Sequence, residues 1–144
     1  MKRILGIDFG EKRIGLAISG PEARLVVPLT TVGRTSDSQA IRQIVDIALQ
    51  EGVEGFVVGD PLNLNGSRGP ASARATSFAR KLAQESGLSV EMTDETLTSV
   101  EAEQRLREVG IDPRRHPEKI DATAAQILLQ QYLDETLPRP GADE

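Results

Sequence analysis

The chain has 144 residues, 38% hydrophobic and 27% charged, with no Cys, no Trp, one His and a net charge of −5. That length suits one domain with a buried core and is short for two. The composition excludes disulfide frameworks, thiolate zinc sites and multi-histidine metal centres, leaving oxygen ligands, which favour Mg²⁺ or Mn²⁺.

The first expected element is a strand over 3–9, followed by a second over 13–19, "RIGLAIS", with "GEK" as the hairpin turn. The start "MKRILGIDFG" has charge and then apolar residues, but Asp8 and Glu11 interrupt it. It does not read as a signal peptide, and no apolar run reaches a membrane span, so the expected compartment is the cytoplasm. A third strand, "RLVVPLTTV" (24–32), contains Pro28 and belongs at a sheet edge. These three strands form an antiparallel meander. Residues 36–52 then carry Ile41, Ile44, Val45, Ala48 and Leu49 at helical spacing, with Ser36 or Ser38 and Gly52 as end signals. "GFVVGDP" (55–61) is an apolar run that fits a strand buried on both faces. "LNLNGSRGP" (62–70) is a loop, and a helix over about 70–86 starts near Pro70. A fifth strand spans 88–95. A helix over 98–110 opens on a capping-box pattern, Thr98 to Glu101, and a final apolar helix covers 120–137. The sum is an α/β fold: a five-stranded mixed sheet, three antiparallel strands then parallel β-α units, flanked by helices. The domain is expected over 1–137, with 138–144 a disordered tail. The charge is uneven, since 134–144 hold −3 and 1–133 hold −2.

Three acids stand out. Asp8 lies inside an apolar strand, where an unpaired carboxylate costs several kcal/mol. Its ordinary partners would be Lys12 or Arg13, and Gly6 on the same face leaves space beside it. Asp94 and Glu95 end the fifth strand, and neighbouring side chains point to opposite faces, so only one of them can join Asp8 easily. Asp121 starts the last helix among Ala122, Ala124 and Ala125, small residues that permit close approach to the sheet. Each acid alone also admits an ordinary reading, as an ion pair, a solvated strand end or a helix N-terminal acid. Together they would repel one another unless cations sit between them. Two divalent ions would neutralise them and serve phosphodiester hydrolysis.

Four motifs in order, "GIDFGEKRIGLAIS", "VVGDPLNLNGSRGP", "DETLTSVEAEQRL" and "KIDATAAQILLQQYL", resemble the YqgF/RuvX family. Its members are Holliday-junction-resolvase-like proteins to which pre-16S rRNA nuclease activity is ascribed. The resemblance implies an RNase H-like fold, catalytic and metal-binding Asp8, Glu95 and Asp121, and Mg²⁺ or Mn²⁺, two ions in number. It also implies Gly10, Lys12, Arg13 and Gly15 around the first turn and a substrate-facing loop from Pro61 to Pro70. The chain departs from the family pattern at Thr96, where Arg is usual, and at Asp60, where an apolar residue is usual. Asp60 is either a fourth ligand or a solvated acid. Asn65 and Arg68 make the loop less negative than in the family. RuvC-type resolvases carry two aspartates three apart on the last helix, whereas here Ala124 follows Asp121. Three acids rather than four set the expected site apart from the RuvC-type resolvase pattern.

The residues expected to meet substrate are Lys12, Arg13, Asn63, Asn65, Arg68, Arg74 and Arg115. Arg74 and Lys81 lie seven apart on one helix with Arg80 adjacent, and Arg114, Arg115, His116 and Lys119 cluster before Asp121. Both groups also suit plain solvated surface. With three Phe and one Tyr, few stacking platforms exist, so backbone contacts outweigh base reading. The expected function is a metal-dependent endonuclease in 5′-end processing of pre-16S rRNA. The alternatives are a branched-DNA resolvase and an inactive nucleic-acid-binding ribosome-assembly module. Partners are structured RNA or branched DNA, with the chain a monomer or homodimer. The acidic balance speaks against tight non-specific binding. The loop lacks the Lys-Ser/Thr of a P-loop, and "DFGEKRIG", though similar to a sugar-kinase or actin phosphate loop, lacks the second domain such ATPases need.

Overall fold

A computed structural model describes residues 3–20, 25–63, 65–95 and 98–136. The expected tail and Thr96 lie outside the described residues. The elements run β1 (Ile4–Phe9), β2 (Arg13–Ser19), β3 (Val26–Gly33), α1 (Asp37–Glu51), β4 (Gly55–Asp60), α2 (Pro70–Ser86), β5 (Ser89–Asp94), α3 (Thr98–Glu108) and α4 (Pro117–Thr136). They build one five-stranded sheet in the order β3-β2-β1-β4-β5. The meander is antiparallel, while β4 joins β1 and β5 joins β4 in parallel.

Local chemistry sets most boundaries. Ser36 caps α1 by accepting a hydrogen bond from the Gln39 N–H, and left-handed Gly52 ends it. Pro28 stands on the edge strand, beside a register shift where Leu16 faces Thr30 and Ala17 faces Pro28. A proline is tolerated there because no inner ladder needs its missing N–H. Two differences from the sequence reading bear on the site. Helix α4 starts at Pro117 rather than 120, since a proline suits a first turn, and Asp121 therefore lies in the second turn. Thr98 is the first helical residue of α3, and its hydroxyl donates to the Glu95 carbonyl, 2.9 Å away, instead of capping the helix.

The strand period of two divides the core. Leu5, Ile7 and Phe9 face α1 and α2, joining Phe56, Val58, Phe78 and Leu82. The opposite face, with Ala17 and Val57, packs on Ala125, Leu128, Leu129 and Leu133 of α4. Strand β4 is buried on both faces up to its last residue, as its unbroken apolar sequence requires.

Helix α4 sits unusually close to the sheet. A Cβ on Gly15 would come within 2.0 Å of the Asp121 carbonyl oxygen, and one on Gly6 within 2.7 Å of the Leu129 Cβ. The space beside Gly6 is thus filled by α4, not left open for the carboxylate. Gly15 opposite Asp8 in the ladder lets the second turn of α4 rest on β2. That contact brings Asp121 to the strand carrying Arg13.

Candidate active site

The parallel strands β1, β4 and β5 end together at one edge of the sheet, where ligand sites of open α/β folds form. Asp8 projects there on the α4 face, 9% exposed. Gly15, paired with Asp8, and Arg13, two residues earlier, share this face.

Glu95 follows β5, two strands away from β1. Its N–H donates to the Asp60 carbonyl at 3.2 Å, extending the β4–β5 ladder by one step. Thr93 pairs with Gly59, so Glu95 falls on the same face as Gly59 and Asp8. The Glu95 side chain lies over Gly59, where an added Cβ would stand 2.4 Å from Oε2. From there it hydrogen-bonds Asp8 across the intervening strand.

Two carboxyls in contact away from water cannot both be ionised comfortably. Burial, then the hydrogen bond to Asp8, pushes the Glu95 carboxyl up to about 10. Burial also raises Asp8, with the charge of Asp121 adding to the effect and the Glu95 hydrogen bond opposing it. Glu95 therefore keeps its proton at neutral pH and donates it to Asp8. Glu95 Oε2 and Asp60 Oδ1 are buried without a hydrogen-bond partner.

Asp121 is near enough to raise Asp8, yet its own carboxylate is engaged elsewhere. Arg13 Nε donates to Asp121 Oδ2 at 2.8 Å. Burial raises Asp121 and the Arg13 hydrogen bond opposes that rise. Arg13 thus pairs with Asp121 rather than with Asp8. Among the described residues, no three acidic or histidine side chains stand together in metal-holding geometry. The three acids gather at one edge, but the present arrangement is a proton-sharing pair and a separate ion pair. Ala124 is fully buried against Ala102 and Ile127, so that position of α4 serves the α3 contact.

Asp60 points to the α2 face, the one Phe56 and Val58 occupy, because it is one residue past Gly59. Its Oδ2 lies 3.7 Å from Arg68 Nη2. The Arg68 guanidinium is also held by α2, donating to Ser72 Oγ at 3.1 Å and Thr76 Oγ1 at 2.7 Å. Asn63 and Asn65 shape the loop itself. Asn63 Nδ2 donates to Ser67 Oγ, while Asn65 Oδ1 accepts from the Ser67 N–H and hydroxyl. Lys12 stands exposed in the β1–β2 turn, and Arg74 is exposed on α2. Arg115 lies 3.9 Å from Asp112, which also binds Arg114, and His116 faces Glu118. The basic cluster before α4 is therefore partly neutralised by its own neighbours.

Two contributors escape a reading of the sequence. Gly59 works only through its register with β5. Arg34 braces the β1–β2 turn: its N–H donates to the Lys12 carbonyl at 2.9 Å and its Nη1 to the Glu11 carbonyl at 3.1 Å. The same guanidinium lies 4.4 Å over the Phe9 ring. The sole sequence signal was a lone Arg after a strand.

The model of the family described as RuvX, Holliday junction resolvase, matches residues 2–135. The chain belongs to this family. A Chloroflexus aggregans relative named "Putative pre-16S rRNA nuclease" is 49% identical over 131 residues, covering 91% of this chain and 92% of its own. A relative of the same name from Anaeromyxobacter dehalogenans is 40% identical over 136 residues, covering 94% of this chain and 99% of its own. Among solved structures, Thermus thermophilus RuvC in complex with a Holliday junction substrate shares the fold with a TM-score of 0.59 at 17% identity. That match covers 94% of this RuvX-family chain and 96% of RuvC. The fowlpox virus resolvase, in complex with Holliday junction DNA, gives 0.57 at 12% identity, covering 94% and 99%. The RNase H-like architecture expected from the motifs is thus shared with the RuvC-like resolvases. Among the described residues, no helix is long and apolar enough to cross a membrane.

Proposed function

We propose that this RuvX-family chain is a divalent-cation-dependent endonuclease that cuts pre-16S rRNA near its mature 5′ end. Membership in a resolvase family and 40–49% identity to relatives named as rRNA nucleases support hydrolysis of phosphodiester bonds. The observation that carries the metal dependence is the buried contact between Asp8 and Glu95, with an orphaned Glu95 oxygen beside it. Two such carboxyls coexist by sharing a proton or by sharing a cation. The donor set is all carboxylate oxygen, which suits Mg²⁺ or Mn²⁺.

Asp8 and Glu95 would hold the cation, with Asp121 completing the ligand set and Asp60 outside it on the other face. Bound there, divalent ions supply an activated water and stabilise the leaving oxygen. Glu95 would release its proton to solvent as a cation binds, because both carboxyls must be ionised to serve as ligands. Arg13 steers Asp121: it holds the carboxylate at the site's margin and is itself a phosphate-binding cation at the mouth. Lys12 and Arg68 flank the same edge and orient the substrate backbone. The buried position of Asp8 and Glu95 keeps bulk water from screening their charges.

A branched-DNA reading has one specific support, the family's description as Holliday junction resolvase. One experiment separates the cases. Purified protein is incubated with a pre-16S rRNA fragment and with a four-way DNA junction, each with Mg²⁺ or Mn²⁺, beside Asp8→Asn. Cleavage of the RNA by the parent, lost in the variant, is expected. Selective junction cutting would transfer the assignment to DNA. Undiminished cutting by Asp8→Asn would refute the carboxylate mechanism.

A further inference from the structure

We infer that the α2 groove between Arg68 and Arg80 seats the phosphodiester backbone of the nucleic acid beyond the bond being cut. This rests on the nuclease reading above and extends it to a second surface. Residues 62–84 contain four bases, Arg68, Arg74, Arg80 and Lys81, and no acid. The remainder of the chain has 13 bases against 22 acids, a balance of −9. For a polyanion approaching a chain that is acidic on balance, this acid-free segment is a favourable place to land.

The groove has a volume of about 350 Å³ and is lined by Arg68, Gly69, Ala73, Thr76, Ser77 and Arg80. The other lining residues are small or hydroxylated, which leaves room for a backbone between two arginines. Ala73, Ser77 and Arg80 recur at helical spacing on one exposed face. Arg68 is fixed in place by Ser72 and Thr76, so little rotamer freedom is lost when it meets a phosphate. Its other neighbour is Asp60, whose carbonyl accepts from the Glu95 N–H. The groove therefore starts beside the end of β4, next to the strand end that carries Glu95, and runs over the α2 face, on the other side of the sheet from the Asp8 and Glu95 carboxyls. Lys81 is drawn toward Asp37, 3.9 Å away, and contributes less. Contacts of this kind position a strand without reading its sequence.

The test measures binding without cleavage, in the Asp8→Asn background, by fluorescence anisotropy. The probes are a labelled RNA hairpin from the pre-16S 5′ leader and a labelled four-way DNA junction. Affinity is followed between about 50 and 200 mM salt. Arg80→Ala is expected to lower the slope of log affinity against log salt by about one, and Arg74→Ala/Arg80→Ala by more. Arg107→Ala, which removes one charge paired to Glu103 on α3, should leave the slope unchanged. Arg80 is exposed, so the variant should melt with the parent, and circular dichroism checks that. If Arg80→Ala and Arg107→Ala behave alike while the parent binds and cleaves, the groove is refuted and the nuclease stands. If the parent binds neither probe, both fall.

Discussion

Strands two apart in a sheet stand about 10 Å from one another, so a carboxyl after β5 meets one on β1 only by lying over β4. Gly59 provides that passage, because any side chain there would occupy the path of the Glu95 carboxyl. Gly59→Ala puts a methyl carbon 2.4 Å from Oε2 and 2.8 Å from Cδ of a flexible side chain. The carboxyl end can swing away and Glu95 Cβ, at 3.0 Å, must give by only a few tenths of an ångström, so the fold should survive with a small change in melting temperature. The Asp8–Glu95 contact should not survive. We expect Mg²⁺-dependent cleavage and Mn²⁺ affinity to drop about 10–100-fold, the range seen when the support of a metal ligand is removed. Calorimetric Mn²⁺ titration and an RNA cleavage assay measure the two losses. Unchanged affinity would mean that Glu95 does not hold the cation. Asp8 was legible in the sequence because a carboxylate in an apolar strand demands compensation. Gly59 was not, because its part depends on parallel register with a strand about 30 residues later.

Helix α4 reaches the sheet through glycine, and the element's position is as sensitive to one methyl group as the site is. Gly15→Ala sets a Cβ 2.0 Å from the Asp121 carbonyl oxygen and 2.8 Å from the Ala122 nitrogen. Both are backbone atoms in a helix whose neighbouring turns are buried, so no rotamer relieves the overlap. The whole helix must lift. We expect a loss of at least about 3 kcal/mol, at the severe end of overpacking, and a fall in melting temperature of about 10 °C. Melting followed by circular dichroism tests this, and a shift under 2 °C would show that α4 is not seated as described. At this scale the sequence was most informative. Period-two and helical patterns located the five strands and four helices, since burial on one or both faces leaves a direct imprint on residue order. The closeness of α4 was half legible: Ala122, Ala124 and Ala125 advertised a small-residue face, but Gly6 read as space rather than as the helix's seat. The turn that starts α4 was missed because "HPEK" offers polar residues where periodicity supplies no signal.

Across the whole molecule, the buried acid pair is expected to make stability depend on pH and, on the proposed reading, on cations as well. Glu95 has an ordinary pKa of 4.5 and is raised to about 10 in the folded chain, chiefly by burial. Between those values the folded chain binds more protons than the unfolded chain, so unfolding free energy falls as pH rises. The slope is at most about 1.4 kcal/mol per pH unit for each such proton. Asp8 and Asp121, also raised by burial, act in the same direction. Asp112 is lowered chiefly by the Arg114 N–H and Glu118 by its own N–H, and both act only as pH falls through the carboxylate range. A chelated sample should therefore melt at progressively lower temperature from pH 5 to pH 8.5. On the proposed reading a divalent cation would take the place of the proton, with binding that strengthens as the carboxyls ionise. Mg²⁺ at one hundred times its dissociation constant adds about 2.7 kcal/mol, or about 6–10 °C for a chain of this size. The gain should be largest at pH 8.5 and smallest at pH 5, flattening the profile. Glu95→Gln removes the titrating proton and a proposed ligand together, so its chelated profile should be flatter and its Mg²⁺ response smaller. Differential scanning calorimetry at several pH values, with and without Mg²⁺, reads all of this. A parent whose melting temperature ignores both pH and Mg²⁺ across that interval would show that the buried pair neither carries a proton nor accepts a cation.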